Sequence, residues 1–273
     1  MSTEKKIILI SGSSSGLGLA MAIKLSNMGH CVYAGTRNAN KLKKIFKKDG
    51  LTADNLKVVS LDVVSDKSVN SLVNKILKRE GRIDVLINNA GYGIVGALEN
   101  IKTSQIQDVL DVNLIGVARC IRSVLPSMRK RRDGNIINIS SVSGIIGSPF
   151  LAAYCASKAG LEGLTESLVL ETMKYNIKIS LVEPGLFKSN FIKNSEIENS
   201  KLNNAYFEDV DHYVNSINEL YKTEKVQEVK EVADSIIKNI IFSNHNDIRF
   251  QTNKWSRKMV RAKLGSNSVI IKK

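Results

Sequence analysis

Ile7-Ile8-Leu9-Ile10-Ser11-Gly12-Ser13-Ser14-Ser15-Gly16-Leu17-Gly18 is the stretch on which the reading of this chain turns. Four apolar residues make a strand-length run. Glycines and serines follow at once, and from Leu17 to Met28 the apolar residues recur with helical spacing. A strand that turns sharply into a helix presents unpaired N–H groups and a partial positive charge. Glycines there allow a tight turn, close approach of a pyrophosphate and close helix–strand packing. The spacing is Gly-x-x-x-Gly-x-Gly and not the commoner Gly-x-Gly-x-x-Gly. No Gly-Lys-Ser/Thr follows, which argues against a nucleoside-triphosphate P-loop.

The pattern continues outward from this turn. Cys31–Gly35, Lys57–Leu61, Asp84–Asn88, Asn135–Ser140 and Ile177–Val182 read as further strands. Amphipathic stretches near 40–48, 66–80, 104–128, 152–175 and 229–242 read as helices. Strands alternating with helices imply βαβ crossovers and a mostly parallel sheet covered on both faces. The expected fold is α/β, a doubly wound Rossmann-type sheet in a single domain. The periodicity breaks after Pro184. Residues 188–225 are polar with scattered aromatics (Tyr206, Phe207, Tyr213, Tyr221) and read as a lid-like insertion whose charges form a solvated outer face. The organisation expected is a catalytic domain over 1–245 and a basic, weakly patterned C-terminal extension over 246–273. In that extension Trp255, Met259, Val260 and Leu264 have the spacing of a short helix packed on the body.

Composition narrows the function classes. The chain has 273 residues, 43% of them apolar and 24% charged, so it can bury a sizeable core and is too apolar for a disordered chain. No apolar run approaches the ~20 residues of a membrane span. Met1–Lys6 is polar and leads into a run too short for a signal-peptide core. Cys31, Cys120 and Cys155 are far apart and odd in number. They read as free thiols in a reducing compartment, with no disulfide or zinc framework, so a cytoplasmic location and no metal are expected. The formal charge is +14, mostly scattered, with clusters at Arg129–Arg132 and from Arg249 onward. No nucleic-acid motif accompanies it, and no nucleic-acid partner is expected.

Two further features carry chemistry. The second strand ends Ala34-Gly35-Thr36-Arg37, without the carboxylate that would bind the adenine ribose of NAD. An arginine there can hold a 2′-phosphate, and Ser14 can add a hydroxyl, which favours NADP. Tyr154 and Lys158 are four residues apart on a helical stretch and so share a face. A phenol has a reference pKa near ~10. A neighbouring ammonium stabilises the phenolate and suits it to general acid–base catalysis.

With these residues in view, the chain resembles the short-chain dehydrogenase/reductase family. The resemblance rests on Gly12-x-x-x-Gly16-x-Gly18, Asp62, Asn88-Asn89-Ala90-Gly91, Asn113, Ser140-Ser141, Tyr154-x-x-x-Lys158 and Pro184-Gly185, in that order over Ile7 to about Ser189. It implies hydride transfer between NAD(P) and an alcohol or carbonyl carbon. It also implies roles. Tyr154 is the general acid or base, Lys158 tunes it and meets the nicotinamide ribose, Ser141 holds the substrate oxygen, and Asn113 supports a proton-relay water. Gly12, Ser14, Ser15, Gly16, Leu17 and Gly18 cradle the cofactor, Asp62 and Val63 meet the adenine, and Asn89, Ala90 and Gly91 line it. Pro184, Gly185 and Ser189 lie at the nicotinamide end. Ser11 and Ser189 stand where the family often has threonine.

Val142, Phe150 and the lid are expected to wall an apolar pocket beside Ser141 and Tyr154, suited to a hydrophobic ketone, aldehyde or alcohol. The segment Val32-Tyr33-Ala34 with Thr36-Arg37 is similar to the branch that handles steroids, retinoids and lipidic carbonyls. The resemblance also implies a homodimer or homotetramer through the two long helices, whose apolar faces carry Leu161, Leu164 and Leu168, and Val109, Val112 and Ile115. A rival reading is a non-catalytic NADP-binding scaffold or sensor that uses its basic tail to bind a partner. The intact Tyr154 and Lys158 argue against it.

Overall fold

The first strand, β1 (Ile7–Ile10), is buried at every residue. Its side chains alternate between two core clusters, Ile7 and Leu9 in one, Ile8 and Ile10 in the other. A strand covered on both faces must be apolar throughout, so the sequence shows runs and not alternation. The computed structural model describes residues 4–48, 54–189, 191–198, 205–223, 226–242 and 247–265.

Around β1 the sheet extends both ways. On one side lie β2 (Cys31–Thr36) and β3 (Leu56–Ser60). On the other lie β4 (Val85–Asn88), β6 (Gly134–Ile139), β7 (Ile177–Glu183) and β9 (Arg249–Gln251). The order is β3-β2-β1-β4-β6-β7-β9, and every pairing is parallel. The helices α1 (Gly16–Asn27) and α9 (Val229–Ile236) cover one face. On the other are α3 (Asp66–Glu80), α5 (Gly116–Arg131) and α6 (Ala152–Thr172). A helix α2 (Ala39–Lys48) joins β2 to β3. This is the doubly wound α/β fold expected. Connections run in opposite senses from β1 and β4, and a crevice opens beyond the C-terminal ends of these strands.

The structure differs from the expectation in four places. The helix read over 104–128 is α4 (Thr103–Leu110), a π-helical turn at Asp111–Ile115, and α5. The insertion is not one polar loop. It holds α7 (Phe191–Asn194), β8 (Glu196–Ile197) paired with β5 (Ile94–Val95), and a 15-residue helix α8 (Phe207–Tyr221). The apolar face of α8, with Val210, Tyr213, Val214 and Ile217, packs inward, while Glu208, Asp209 and Asp211 face out. Residues 190, 199–204 and 224–225 of the expected lid lie outside the described residues.

The third difference is at the C-terminus. Arg249–Gln251 is the seventh strand of the main sheet, in register with Leu181–Glu183, so the sheet runs across the boundary expected after residue 245. An edge strand of three residues carrying Arg and Gln has no apolar run to betray it. Asn253 then caps α10 (Lys254–Leu264), its side chain accepting from the Ser256 amide at 2.7 Å. The helix is where the spacing placed one, but of the four residues expected to face the body only Val260 is buried, Met259 is half-buried, and Trp255 and Leu264 are exposed. Residues 246 and 266–273 of the expected extension lie outside the described residues. Finally, Leu161 and Val109 are fully buried within the chain's own core, whereas Ile115 in the π-helical turn, Leu170 on α6 and Met173 just after it stay exposed.

Candidate active site

A cavity of about 1550 Å³ opens at the C-terminal ends of β1, β4, β6 and β7. Its floor begins at the glycine turn. Gly12 has φ +68°, and a Cβ there would lie 2.6 Å from the Ala90 Cα, so only glycine lets the turn pass this close to the end of β4. A Cβ on Gly18 would collide with the Asn89 amide and the Gly12 carbonyl. The turn is braced from β4: the Ser11 hydroxyl accepts from the Asn89 and Ala90 amides at 3.0 and 3.1 Å. The Asn89 side chain donates to the Ser11 and Gly12 carbonyls at 3.1 and 3.0 Å. A serine hydroxyl thus suffices where threonine was the expectation. Ser15, at the N-cap of α1, makes no side-chain capping bond, and no acidic residue occupies the first turn. The helix N-terminus therefore faces the cavity with the polarity that suits phosphate.

Ser14, Ser15, Gly16 and Leu17 line the cavity with Gly12, and Gly18 lies behind them. At the end of β2, Arg37 is exposed on the rim beside Asn38 and Lys41 and makes no ion pair among the described residues. Asp62 and Val63 line the same end, and Asn89, Ala90 and Gly91 its middle. Pro184, Gly185 and Ser189 line the far end, where Trp255 of α10 approaches: a Cβ on Gly185 would lie 3.3 Å from its ring. The crevice thus offers glycine backbone and a helix terminus at one end, a cation on the rim, and a cleft running to β7. These are features that fit an extended dinucleotide.

At the far end sit the acid–base candidates. The first two turns of α6 carry Tyr154 and Lys158, both buried. Tyr154 and Ser141 both line the cavity, the Ser141 hydroxyl close enough to act on the phenol, and Ser141 accepts from the Ser143 amide at 3.1 Å. Burial pushes the phenol above its ordinary range, and the neighbouring Ser141 hydroxyl opposes this. Lys158 donates to the Ile139 carbonyl at 2.7 Å and lies 5.8 Å from the centre of the Tyr154 ring. Burial holds its ammonium down at about 8, with Glu162 pulling the other way. The lowering of Tyr154 by Lys158 that the spacing suggested is not expressed in the protein alone. The ammonium is turned to a backbone carbonyl and the ring face, and burial dominates the phenol.

Asn113 lies in the π-helical turn, fully buried and off the cavity lining. Its amide accepts from the Tyr92 amide at 3.1 Å and donates to the Tyr92 carbonyl and Ser157 Oγ, both at 2.9 Å. It ties the chain after Gly91 to the first turn of α6. The wider turn is what aims an asparagine from helix to loop, and no sequence signal beyond the asparagine itself announced it.

The remaining wall is apolar. Tyr154 packs on Phe191 with ring centres 4.9 Å apart, in a cluster with Val95, Leu151, Ile192, Val210 and the aromatic face of α8. Val142 and Ser189 line the cavity with Tyr213, Ile217 and Tyr221. Phe150 is placed differently from the expectation. Its backbone is left-handed (φ +61°), its ring meets Tyr213 edge-on at 5.8 Å, and it lines an adjoining cavity of about 630 Å³. Phe191 and Trp255 were missed because their contacts join segments remote in sequence.

Comparison with known proteins agrees with this geometry. A family model described as short chain dehydrogenase matches residues 6–200. A 3-ketodihydrosphingosine reductase of Bacteroides thetaiotaomicron is 38% identical over 222 residues, 81% of this chain and 78% of that protein. Retinol dehydrogenase 8 of Homo sapiens is 37% identical over 265 residues, 93% of this chain and 83% of that protein. The solved structure of ElxO with NADP bound has a TM-score of 0.77 and 27% identity, covering 93% of this chain and all of that one. Among the described residues no helix is long and apolar enough to cross a membrane.

Proposed function

The chain belongs to the short-chain dehydrogenase family, and from that premise we propose that it is an NADP(H)-dependent oxidoreductase interconverting a hydrophobic ketone or aldehyde and its alcohol. The observation that carries the reading is the meeting of Tyr154 and Ser141, with Lys158 one turn on, between the glycine crevice and an apolar wall.

In this reading a bound nicotinamide supplies or accepts the hydride. The chain's own residues do the rest. Gly12, Gly16 and the N-terminus of α1 hold the phosphates, and Gly18 keeps the helix close. Arg37 on the rim takes the 2′-phosphate, with Ser14 beside it, which favours NADP. Asp62 and Val63 border the adenine, and Asn89, Ala90, Gly91, Pro184, Gly185 and Ser189 line the nicotinamide half. Ser141 fixes the substrate oxygen. Tyr154 gives its proton to that oxygen in reduction and takes it back in oxidation. A phenol held above its ordinary range keeps its proton at neutral pH, as an acid in reduction must. Lys158 stabilises the phenolate left behind, and Asn113 keeps the first turn of α6 in place.

The substrate side favours a lipidic molecule. Val142, Phe191, Tyr213, Ile217 and Tyr221 present apolar surface with two phenols, and Phe150 supports them from behind. Two relatives named for sphingoid and retinol substrates support the same class. The exposed Ile115, Leu170 and Met173 support assembly as a dimer or tetramer, and the free thiols a reducing, cytoplasmic setting.

The test is oxidation of NADPH, followed by nicotinamide absorbance, against a panel of sterol, retinoid and long-chain carbonyls. Tyr154→Phe should lose ~10²–10⁴-fold in rate. Equal rates in the two proteins would remove Tyr154 from the reaction.

A further inference from the structure

Behind Tyr154 and Lys158 lies a buried ionic cluster that the proposed chemistry leaves unused. Glu162 stands one helical turn beyond Lys158, so the two share a face of α6. It is 4% exposed, and Glu183, the last residue of β7, is fully buried. Arg249, the first residue of β9, joins them. Its Nη1 donates to Glu162 Oε2 at 2.6 Å and Glu183 Oε1 at 2.5 Å, and its Nη2 to Glu166 Oε1 at 2.6 Å. Gln251 donates to the other Glu183 oxygen at 2.8 Å. The remaining Glu162 oxygen accepts from the Ser140 hydroxyl, next to Ser141, and Lys158 donates to the carbonyl of Ile139, one residue earlier. The cluster therefore touches Ser140, the neighbour of Ser141, and Lys158 is anchored one residue earlier on the same strand end.

We propose that Arg249 is a positioning residue for the proposed reaction: by tying β9 and β7 to α6 it holds Glu162 as a carboxylate one turn from Lys158, and so biases the Lys158–Tyr154 pair towards ammonium and phenolate. The proposal rests on the reading of that pair as the acid–base centre. Two buried carboxylates sharing one guanidinium would be costly if the guanidinium were removed, because a buried charge left without its partner tends to neutralise. Burial already pushes the Glu162 carboxyl up to about 7, Glu183 adds to this, and Ser140 and Arg249 oppose it. Glu162 is the charge that raises Lys158, and burial alone lowers it. The other groups facing the pair are Cys155 on α6 and Tyr221 on α8, which act on Tyr154, and the uncharged Ser141 and Asn113.

The signs run in one direction. Without Arg249, Glu162 takes up a proton at higher pH. Lys158 loses its anionic neighbour and gives up its proton at lower pH. The Tyr154 phenolate loses its cation, so Tyr154 holds its proton to higher pH. Alcohol oxidation needs Tyr154 deprotonated, so its rising pH limb moves up.

The experiment uses the full chain with NADP⁺ and a secondary alcohol turned over by the wild type. The variants are Arg249→Met, Arg249→Lys and Glu162→Gln, each checked for folding by circular dichroism and thermal melting. A second readout is the ¹⁵N-lysine NMR titration of Lys158, assigned by its loss in Lys158→Met. Arg249→Met and Glu162→Gln should lower the Lys158 titration and raise the oxidation limb by about half a pH unit or more, roughly a threefold rate loss on the limb. Arg249→Lys should restore much of both. If Arg249→Met does not fold, Glu162→Gln and Arg249→Lys carry the same comparison. An unmoved Lys158 titration with activity lowered equally at all pH values makes Arg249 a structural strut and overturns the proposal. A shifted Lys158 titration in a protein that turns over no alcohol or carbonyl at any pH leaves the coupling standing and removes the acid–base reading instead.

Discussion

The Asn113 side chain donates to Ser157 Oγ at 2.9 Å, and Ser157 Oγ donates to the Tyr154 carbonyl at 2.7 Å. A residue in the π-helical turn thereby fixes the backbone of the proposed acid–base residue without reaching the cavity. Asn113→Ala leaves the Tyr92 amide and carbonyl unpaired in the interior. The expected outcome is destabilisation of about 1–3 kcal/mol together with a lower turnover number. Thermal melting and steady-state rates on one preparation check it. Unchanged turnover would mean that the linkage to Tyr154 carries no chemistry.

Gly12 and Gly29 both have positive φ, but their surroundings differ. A Cβ on Gly12 meets Ala90 backbone at 2.6 Å, and a Cβ on Gly29 meets nothing within 4 Å. Gly12→Ala should weaken NADPH binding by at least about tenfold, because the turn must shift away from β4. Gly29→Ala should cost only the backbone strain, about 1 kcal/mol, and leave binding unchanged. Calorimetric titration with NADPH distinguishes them.

Among the described residues Arg37 is the one cation at the end of β2 itself, on the rim of the crevice. Arg37→Asp should weaken NADPH binding and improve NADH binding relative to it, since a carboxylate repels a 2′-phosphate and accepts from a ribose hydroxyl. The ratio of kcat/KM with the two cofactors is the measurement. An unchanged ratio would take Arg37 out of cofactor selection.

Lys158 carries a pH signature. Its ammonium is held at about 8 in the folded protein against 10.5 for an unperturbed lysine. Below the folded value both states are protonated, and burial of the charge costs stability in full. Between the two values the unfolded chain binds more protons, so stability rises with pH. Lys158→Met removes this slope. Its stability relative to the wild type should be greatest below pH 8 and decline by about 1–3 kcal/mol as pH rises towards 10.5. Chemical denaturation of both proteins across that range tests it. A constant difference would show that burial is not what lowers the lysine.

The main-sheet strands β1 to β4, β6 and β7 were legible because strands covered on both faces are largely apolar, and each such run is bounded by turn residues, whereas the two-residue β5 was too short to show. The glycine turn and the Tyr154–Lys158 pair were legible for a related reason: their geometry is local, fixed by a tight turn and by one helical turn. What stayed hidden is joined only by topology. Arg249 and Glu162 are separated by 87 positions and meet because β9 closes the sheet beside β7. The helix α8 was diluted by polar residues on three sides, since a single inward face is all it needs. The π-helical turn is invisible to a 3.6-residue period, which passes through 104–128 almost unbroken. Phe150 was read as a pocket residue from its neighbours in sequence, but a left-handed backbone turns it towards the next cavity.

The parallel pairing of β9 with β7 has a consequence for how the chain matures. Until Arg249–Gln251 have been synthesised, β7 is a bare rim with main-chain donors and acceptors open to any passing strand, and Glu162 and Glu183 have no cation between them. One short strand thus both seals the rim and brings the cation that the two interior carboxylates share.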